Sequence, residues 1–491
     1  MTKDTGLSDK KSSLGDISSE EFRKAGYELV DWIAEYVAHP ERHAVLPAVE
    51  PGELRAKLPE FPPEHGESPG IVLRDFENQI LPHVTHWNHP GFMAYFAAGG
   101  SSAGVLSEAL IAALNNVGLL WRSSPALAEL EQVSMSWLSQ MLGLPPDWFG
   151  MIHETASTAS LHAVIAARQA ALEAAQAAGH PLDLNRITIY ASEQAHSSIE
   201  KTMAALGRGA DACRKIQCDA QFRMDPDALR EAIRADIENG FRPIAVVATV
   251  GTTSTSAVDP VAAIADVAEE FSLWLHVDAA YAGAAAILPE LRHHFEGCER
   301  ADSFLTNPHK WLFAPMDLTA FYTAQPDILR RALSLVPEYL RSAEHPDAVN
   351  FMEYAIPLGR RFRGLKLWYI LRTYGREGLA ANIREHIRLA SLLAGWVDEA
   401  ADFERAAPTP FSLVCLSYRP AGATPNETDR LNEQLINAVN ATGEFFLSHT
   451  KLNDRFVIRV AIGNLRTTEP YVARVWKLLR ELAPKVSAAA T

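Results

Sequence analysis

The sequence predicts an α/β fold: a mainly parallel central sheet flanked by helices, preceded by a helical arm and followed by a small α+β domain. Three observations predict it. Between about residues 150 and 325, short β-branched runs alternate with helical stretches, the pattern of a parallel sheet with crossover helices. Each of those runs ends abruptly in polar residues. After about residue 380 the order becomes helix, then strand-like FSLVCLSYR and DRFVIRVAI, then a last helix starting near Thr468.

The elements follow in chain order. Ser18 and Glu21 form a capping-box pattern ahead of Phe22, Tyr27, Leu29, Val30, Ile33, Tyr36 and Val37, whose spacing is that of an amphipathic helix. The proline-rich stretch HPERHAVLPAVEPGELRAKLPEFPPEHGESPG cannot be one regular element and reads as an arm, suited with its helix to clasp a partner subunit. The strands are ITIYA (187–191), IAVVATV (244–250), LWLHV (273–277) and SFL (303–305). They end in Ser192 to His196, Gly251-Thr252-Thr253, Asp278, and Thr306 to Lys310 respectively. In open parallel sheets ligands bind outside the carboxyl ends of the strands, so four strand ends aim polar groups at one crevice.

Composition narrows the function. The chain has 491 residues, 48% hydrophobic and 21% charged, which excludes disorder as a whole, and its net charge of −15 argues against nucleic-acid or anionic-membrane partners. Neither an export signal nor a membrane span is indicated, so a cytoplasmic small-molecule enzyme is expected. Cys213, Cys218, Cys298 and Cys415 read as reduced thiols. No G-x-G-x-x-G follows a strand, GTTSTS lacks the G-K-[ST] of a P-loop, and His83, His86 and His89 have no nearby carboxylate, so no dinucleotide, nucleoside triphosphate or metal is expected.

The strand ends carry the chemistry. Asp278 places a carboxylate beside Ala279-Ala280, small residues past which a flat ring can approach, and a carboxylate is the partner that a protonated pyridine nitrogen needs. Lys310, one crossover later in TNPHKWLFAP, could form a Schiff base with such a cofactor's aldehyde. Glu154-Thr155-Ala156-Ser157 opens the helix-like TASLHAVIAARQAALEAA, so its first amides and the Ser157 hydroxyl can hold an oxyanion, with Asn307 and His309 completing the cup. His196, from the first strand end, can lie against a ring face.

Together, THWNHPGFMAYF, ASEQAHSSIEK, ATVGTT, HVDAAYAG, NPHKWLF and IPLGRRFRGLKLW resemble the group II pyridoxal-phosphate decarboxylases, in particular the aromatic-L-amino-acid decarboxylases, from about residue 18 to 480. The resemblance implies fold type I, pyridoxal 5'-phosphate as cofactor, an aromatic L-amino acid as substrate, and a homodimer with shared active sites. It implies Lys310 as the Schiff-base lysine, Asp278 as the ring-nitrogen partner, His196 as the stacking histidine, Thr252 and Ala280 as ring contacts, and Ala156, Ser157, Asn307 and His309 as the phosphate site. For the substrate it implies an aromatic wall of Trp87, Phe92, Tyr95 and Phe96, with Val117 and Leu119 lent by the other subunit. The corresponding domains are an N-terminal helical and dimerisation arm (1–101), a large cofactor-binding domain (102–379) and a small α+β domain (380–491).

Three positions depart from the family's pattern. Glu154 and Thr158 interrupt the usual G-S-A-S-E-A, putting a carboxylate near the anionic anchor. Ala97-Ala98 replace the Pro-Thr of catechol-using animal members, which disfavours a catechol. Counted back without gaps from IPLGRRFR, Phe351 takes the place of a loop tyrosine that protonates the substrate carbon after CO2 leaves; Tyr354 and Tyr339 are other tyrosines nearby. Decarboxylation to an arylalkylamine is therefore the leading expectation. The alternatives are an aldehyde synthase releasing aldehyde, ammonia and peroxide, a disfavoured aminotransferase, and a catalytically dead dimer serving as a binding protein. Acidic substrates would need a basic pocket residue, for which Arg122 is the candidate.

Overall fold

The computed structural model describes residues 16–335 and 348–490. The chain divides into two compact units, one ending at His86 and one beginning at Trp87. In the first, the helix Ser19–Ala38 starts where Ser18 Oγ accepts the Glu21 N–H at 3.2 Å. None of its residues is buried, and Phe22, Tyr27 and Val30 stand exposed. The proline-rich stretch breaks into short helices such as Glu53–Lys57, as the ring constraint on φ requires.

The second unit holds the strands β1 (Phe92–Met93), β2 (Phe149–His153), β3 (Ile187–Ser192), β4 (Cys213–Ile216), β5 (Arg242–Thr249) and β6 (Trp274–Asp278). They are followed by β7 (Ser303–Thr306), β8 (Thr319–Thr323), β9 (Phe403–Arg405), β10 (Leu413–Tyr418), β11 (Phe446–Leu452) and β12 (Arg455–Ala461). The large sheet runs β2-β8-β7-β6-β5-β3-β4, parallel from β7 to β4, with β8 antiparallel to both β7 and β2. Helices Ala156–Ala177, Pro226–Glu238 and Val261–Glu270 make crossovers. Successive residues of β5 serve opposite cores: Val246 and Ala248 pack on one face, Ala245 and Val247 on the other. Burial on both faces is why the strand reads as a continuous apolar run.

The four expected strands correspond to β3, β5, β6 and β7. The small sheet is β1-β11-β12-β10-β9, and its core joins Val414, Leu416, Ile458 and Val460 to Leu435, Val472 and Leu479 of its helices. Phe92 and Met93, which the sequence reading assigns to the arm, pair in parallel with Phe446 and Leu447. The last helix spans Glu469–Ala490. Among the described residues no helix is long and apolar enough to cross a membrane.

Candidate active site

At the carboxyl ends of β3, β5, β6 and β7 lies a cavity of about 220 Å³, whose wall includes His196, Thr249, Asp278, Ala280, Asn307, His309 and Lys310. Asp278, the last residue of β6, is buried, and its Oδ1 accepts the Ala280 N–H at 3.0 Å, which fixes the carboxylate's rotation. Asn307 follows the next strand, β7; its N–H donates to Ala280 O at 2.9 Å, and the one-turn helix Pro308–Trp311 then presents Lys310. The ammonium lies 5.5 Å from the centre of the Phe96 ring. Burial lowers the Lys310 pKa; Asp278 opposes this and Arg459 adds to it. Desolvation thus makes the neutral, nucleophilic amine more accessible.

His196 follows β3. Its Nδ1 accepts the Ser198 N–H at 3.1 Å, so the neutral ring carries its proton on Nε2, and burial lowers its pKa against the pull of Asp278. His309 is buried, its pKa pushed down to about 4 by desolvation and then by Lys310, and its Nδ1 is held against Leu318, 2.6 Å from the carbonyl oxygen and 3.1 Å from the amide nitrogen. Asn307 Oδ1 accepts from Thr319 Oγ1 at 2.8 Å, leaving its amide hydrogens as donors.

Thr155, Ala156 and Ser157 line the opposite wall, where the 22-residue helix Ala156–Ala177 begins. Thr155 Oγ1 accepts the Thr158 N–H at 3.3 Å and Thr155 O accepts that of Ala159 at 3.1 Å. The amides of Ala156 and Ser157 precede the first intrahelical bond and are available to an anion. Glu154 turns to Arg363, whose Nη2 lies 3.4 Å from Glu154 Oε1 while the guanidinium also grips Asp317 at 3.1 and 2.8 Å.

Other expected residues lie elsewhere. Thr252 does not line the cavity: its Oγ1 accepts the Ala257 N–H at 3.1 Å and meets Thr255 Oγ1 at 3.0 Å, because the loop folds back on itself there. Gly251 and Thr253 form the wall instead. Gly251 has φ 87°, and a Cβ on it would come within 2.5 Å of Ala282 Cβ. Phe96 lines the cavity, stacked on Tyr281 at 3.7 Å, which stacks on Trp311 at 4.6 Å. Trp87, Phe92 and Tyr95 form a separate cluster, with Trp87 to Phe92 at 4.3 Å and Trp87 to Tyr95 at 6.0 Å. Val117 is exposed, Leu119 is half-buried and Arg122 is exposed, and none of the three borders the cavity within this chain.

Phe351 requires a correction. It is buried, 4.7 Å below the Arg360 guanidinium and 6.0 Å from Phe149, and it does not border the cavity. Residues Phe351–Tyr354 form a 3-10 turn whose apolar side packs on β2, and Tyr354 stacks on Phe149 at 4.6 Å. Tyr339 lies outside the described residues.

Sequence reasoning missed Arg459 and Phe446. Arg459, on β12, is buried, with hydrogen bonds to Thr253 O (2.6 Å), Ser254 O (3.0 Å), Ser448 Oγ (2.7 Å) and Tyr95 O (3.3 Å). Among the described residues no carboxylate pairs with it, and it lies 5.5 Å from the Phe96 ring centre. The available signal was an arginine between Ile458 and Val460, a charge inside a buried strand. Phe446 meets Phe92 and Tyr95 edge-on at 5.5 and 5.7 Å.

Residues 51–419 match the model of the pyridoxal-dependent decarboxylase conserved domain. The chain belongs to this decarboxylase family. A tryptophan decarboxylase of Camptotheca acuminata is 41% identical over 476 residues, 95% of each chain. A phenylacetaldehyde synthase of Arabidopsis thaliana is 40% identical over 480 residues, 96% of this chain and 97% of the relative. Among solved structures, the Oryza sativa decarboxylase TDC with pyridoxal phosphate and tryptamine superposes with a TM-score of 0.93 at 37% identity, covering 96% of this chain and 99% of that one.

The decarboxylase is thus a pyridoxal phosphate-dependent carboxy-lyase. Its cavity fits that cofactor. A helix start offers amides to a phosphate, Asp278 a carboxylate to a protonated ring, and Lys310 an amine to an aldehyde. Thr249 Oγ1, buried on the same wall, has no hydrogen-bond partner among the described residues and is a polar group awaiting one.

Proposed function

We propose that this decarboxylase converts aromatic L-amino acids to arylalkylamines and CO2. The observation that carries the reading is the convergence of Asp278, Lys310, His196 and the Ala156–Ala177 helix start on one cavity beside the ring of Phe96. The tryptophan decarboxylase relative and the structure holding tryptamine support an aromatic substrate. Pyridoxal phosphate, when bound, supplies a ring that accepts the electron pair left as CO2 departs.

The chain's own residues do the rest. Asp278 keeps a positive charge on the ring nitrogen, which strengthens that withdrawal. Lys310 would hold the cofactor through its amine, which burial keeps readily neutral. The amides of Ala156 and Ser157, with Ser157 Oγ, Asn307 and His309, hold the phosphate; His309, neutral at physiological pH, acts there as a hydrogen-bond partner rather than a charge. His196, on the cavity wall, would face the cofactor's ring, with its own proton on Nε2. Arg459 has its donors turned to the backbone of Thr253, Ser254 and Tyr95, so it fixes the loop bearing the cavity wall, and its charge favours an incoming carboxylate. Phe96 on the cavity wall and the exposed rings of Trp87 and Tyr95 would provide an aromatic surface for a side chain, with Phe92 buried against Trp87 and ring-pair geometry adding to burial.

We read the enzyme as a homodimer. Leu106, Leu110 and Leu114, at four-residue spacing on the helix Ser102–Leu114, are 54%, 47% and 60% exposed, and Val117 continues the row. Such a stripe is costly in water and suits a second copy of the chain, which would carry Val117 and Leu119 toward the neighbouring site. Four free cysteines support a reducing, cytoplasmic location. The test is an amino-acid panel scored for CO2, amine, aldehyde and peroxide. Amine and CO2 in equal amounts from an aromatic amino acid are expected. Peroxide and ammonia matching CO2 would make the enzyme an aldehyde synthase, as the Arabidopsis relative is named.

A further inference from the structure

We propose that Glu154 sets the affinity for the cofactor's phosphate, weakening it and making it dependent on ionic strength, a proposal that rests on reading the first turn of the Ala156–Ala177 helix as the phosphate cradle. Glu154 immediately precedes the capping residue Thr155, where the cavity wall begins. Consecutive Cα atoms are about 3.8 Å apart, so its backbone lies within about 8 Å of the Ala156 amide. A carboxylate there draws on the same positive helix end that a phosphate would use.

The surrounding charges decide how strongly this is felt. Arg363 Nη2 reaches Glu154 at 3.4 Å but Asp317 at 2.8 Å, so its charge is largely committed to the closer acid. Lys366 pairs with Glu108 and donates to Pro315 O (3.0 Å) and Asp317 O (3.1 Å), while Arg361 reaches Glu108 at 2.7 Å. In this cluster three acids, Glu154, Asp317 and Glu108, face three bases, Arg363, Lys366 and Arg361. With Glu154 ionised the cluster is neutral; with Glu154 replaced by an uncharged side chain it carries one positive charge beside the cradle. The Glu154 side chain is 31% exposed, so salt ions reach the position at which that charge changes. His309 is neutral at physiological pH and adds no charge of its own.

The test compares the affinities of the full-length enzyme, stripped of cofactor, for pyridoxal phosphate and for pyridoxal, which lacks the phosphate. Wild type, Glu154→Gln and Glu154→Asp are titrated at low and high salt. Glu154→Gln is expected to tighten pyridoxal phosphate about three- to tenfold at low salt, with most of the gain lost at about 0.5 M salt. Pyridoxal affinity should stay unchanged, and Glu154→Asp, which keeps the charge, should behave as wild type. An equal change for both ligands, a gain that survives salt, or no change in Glu154→Gln would overturn the proposal. Ser157→Glu separates the underlying reading: it should abolish the wild-type preference for pyridoxal phosphate over pyridoxal. If that preference survives, the cradle is elsewhere and the cradle reading fails, whatever Glu154 does.

Discussion

Lys310 and Phe351 show how far single residues could be read. Lys310 is buried beside the Phe96 ring, its pKa lowered first by desolvation. Lys310→Ala should reduce CO2 release to background with the fold retained, because the change removes an amine and little apolar surface; residual activity near wild type would contradict the role. Phe351 lies away from this chain's cavity because the turn it opens packs its ring under Arg360. Phe351→Tyr should therefore leave the amine-to-aldehyde ratio unchanged and lower stability by about 1 to 3 kcal/mol, the cost of a buried hydroxyl without a partner. Of the tyrosines named for proton delivery, Tyr339 is the informative one, and Tyr339→Phe is expected to raise peroxide per CO2 in air-saturated buffer. The same product assay on both variants distinguishes them.

At the scale of elements, β3, β5, β6 and β7 were legible because each is an apolar run buried on both faces that stops at a polar residue. β2, β4 and β8 were not. β4 is four residues long at the sheet edge with a mixed burial pattern, and β8 pairs antiparallel with β7, for which no crossover helix gives a cue. β1 is defined only by its pairing with β11, a partner some hundreds of residues away, so no local pattern announces it. For the same reason Arg459, which holds the Thr253 carbonyl of the cavity wall, and Phe446, which meets Phe92 and Tyr95, come unannounced from strands of the small sheet. Thr252 marks a different limit, since turn chemistry took its hydroxyl for the loop's own amide. Thr155, by contrast, performs as a cap, and Thr155→Ala should cost about 1 kcal/mol of stability in a denaturant titration. A Thr155→Ala enzyme as stable as wild type would show that the helix start is held by other contacts.

At the scale of the whole molecule, assembly and pH response follow from buried and exposed groups. Leu110→Asp should yield monomers in analytical ultracentrifugation and impair turnover, since a charge in the leucine row would be desolvated on pairing. A fully active dimer would exclude that face. His276, His309 and His386 are each pushed by burial to about 4, below the ordinary 6.5. The unfolded chain then takes up their protons first, so their stabilisation is complete above about pH 6.5 and is lost as the pH falls toward 4. Asp259, raised by burial to about 6, acts in the opposite sense between about pH 4 and 6 but is one group against three. The thermal midpoint should accordingly fall between pH 7 and pH 5. Lys310 is proposed to anchor pyridoxal phosphate in the cavity it shares with Asp278. Borohydride reduction of the holoenzyme followed by peptide mapping tests it most directly. Loss of the visible absorption band with the cofactor fixed on the peptide bearing Lys310 is expected; label on another lysine, or none on a catalytically competent enzyme, would contradict that role.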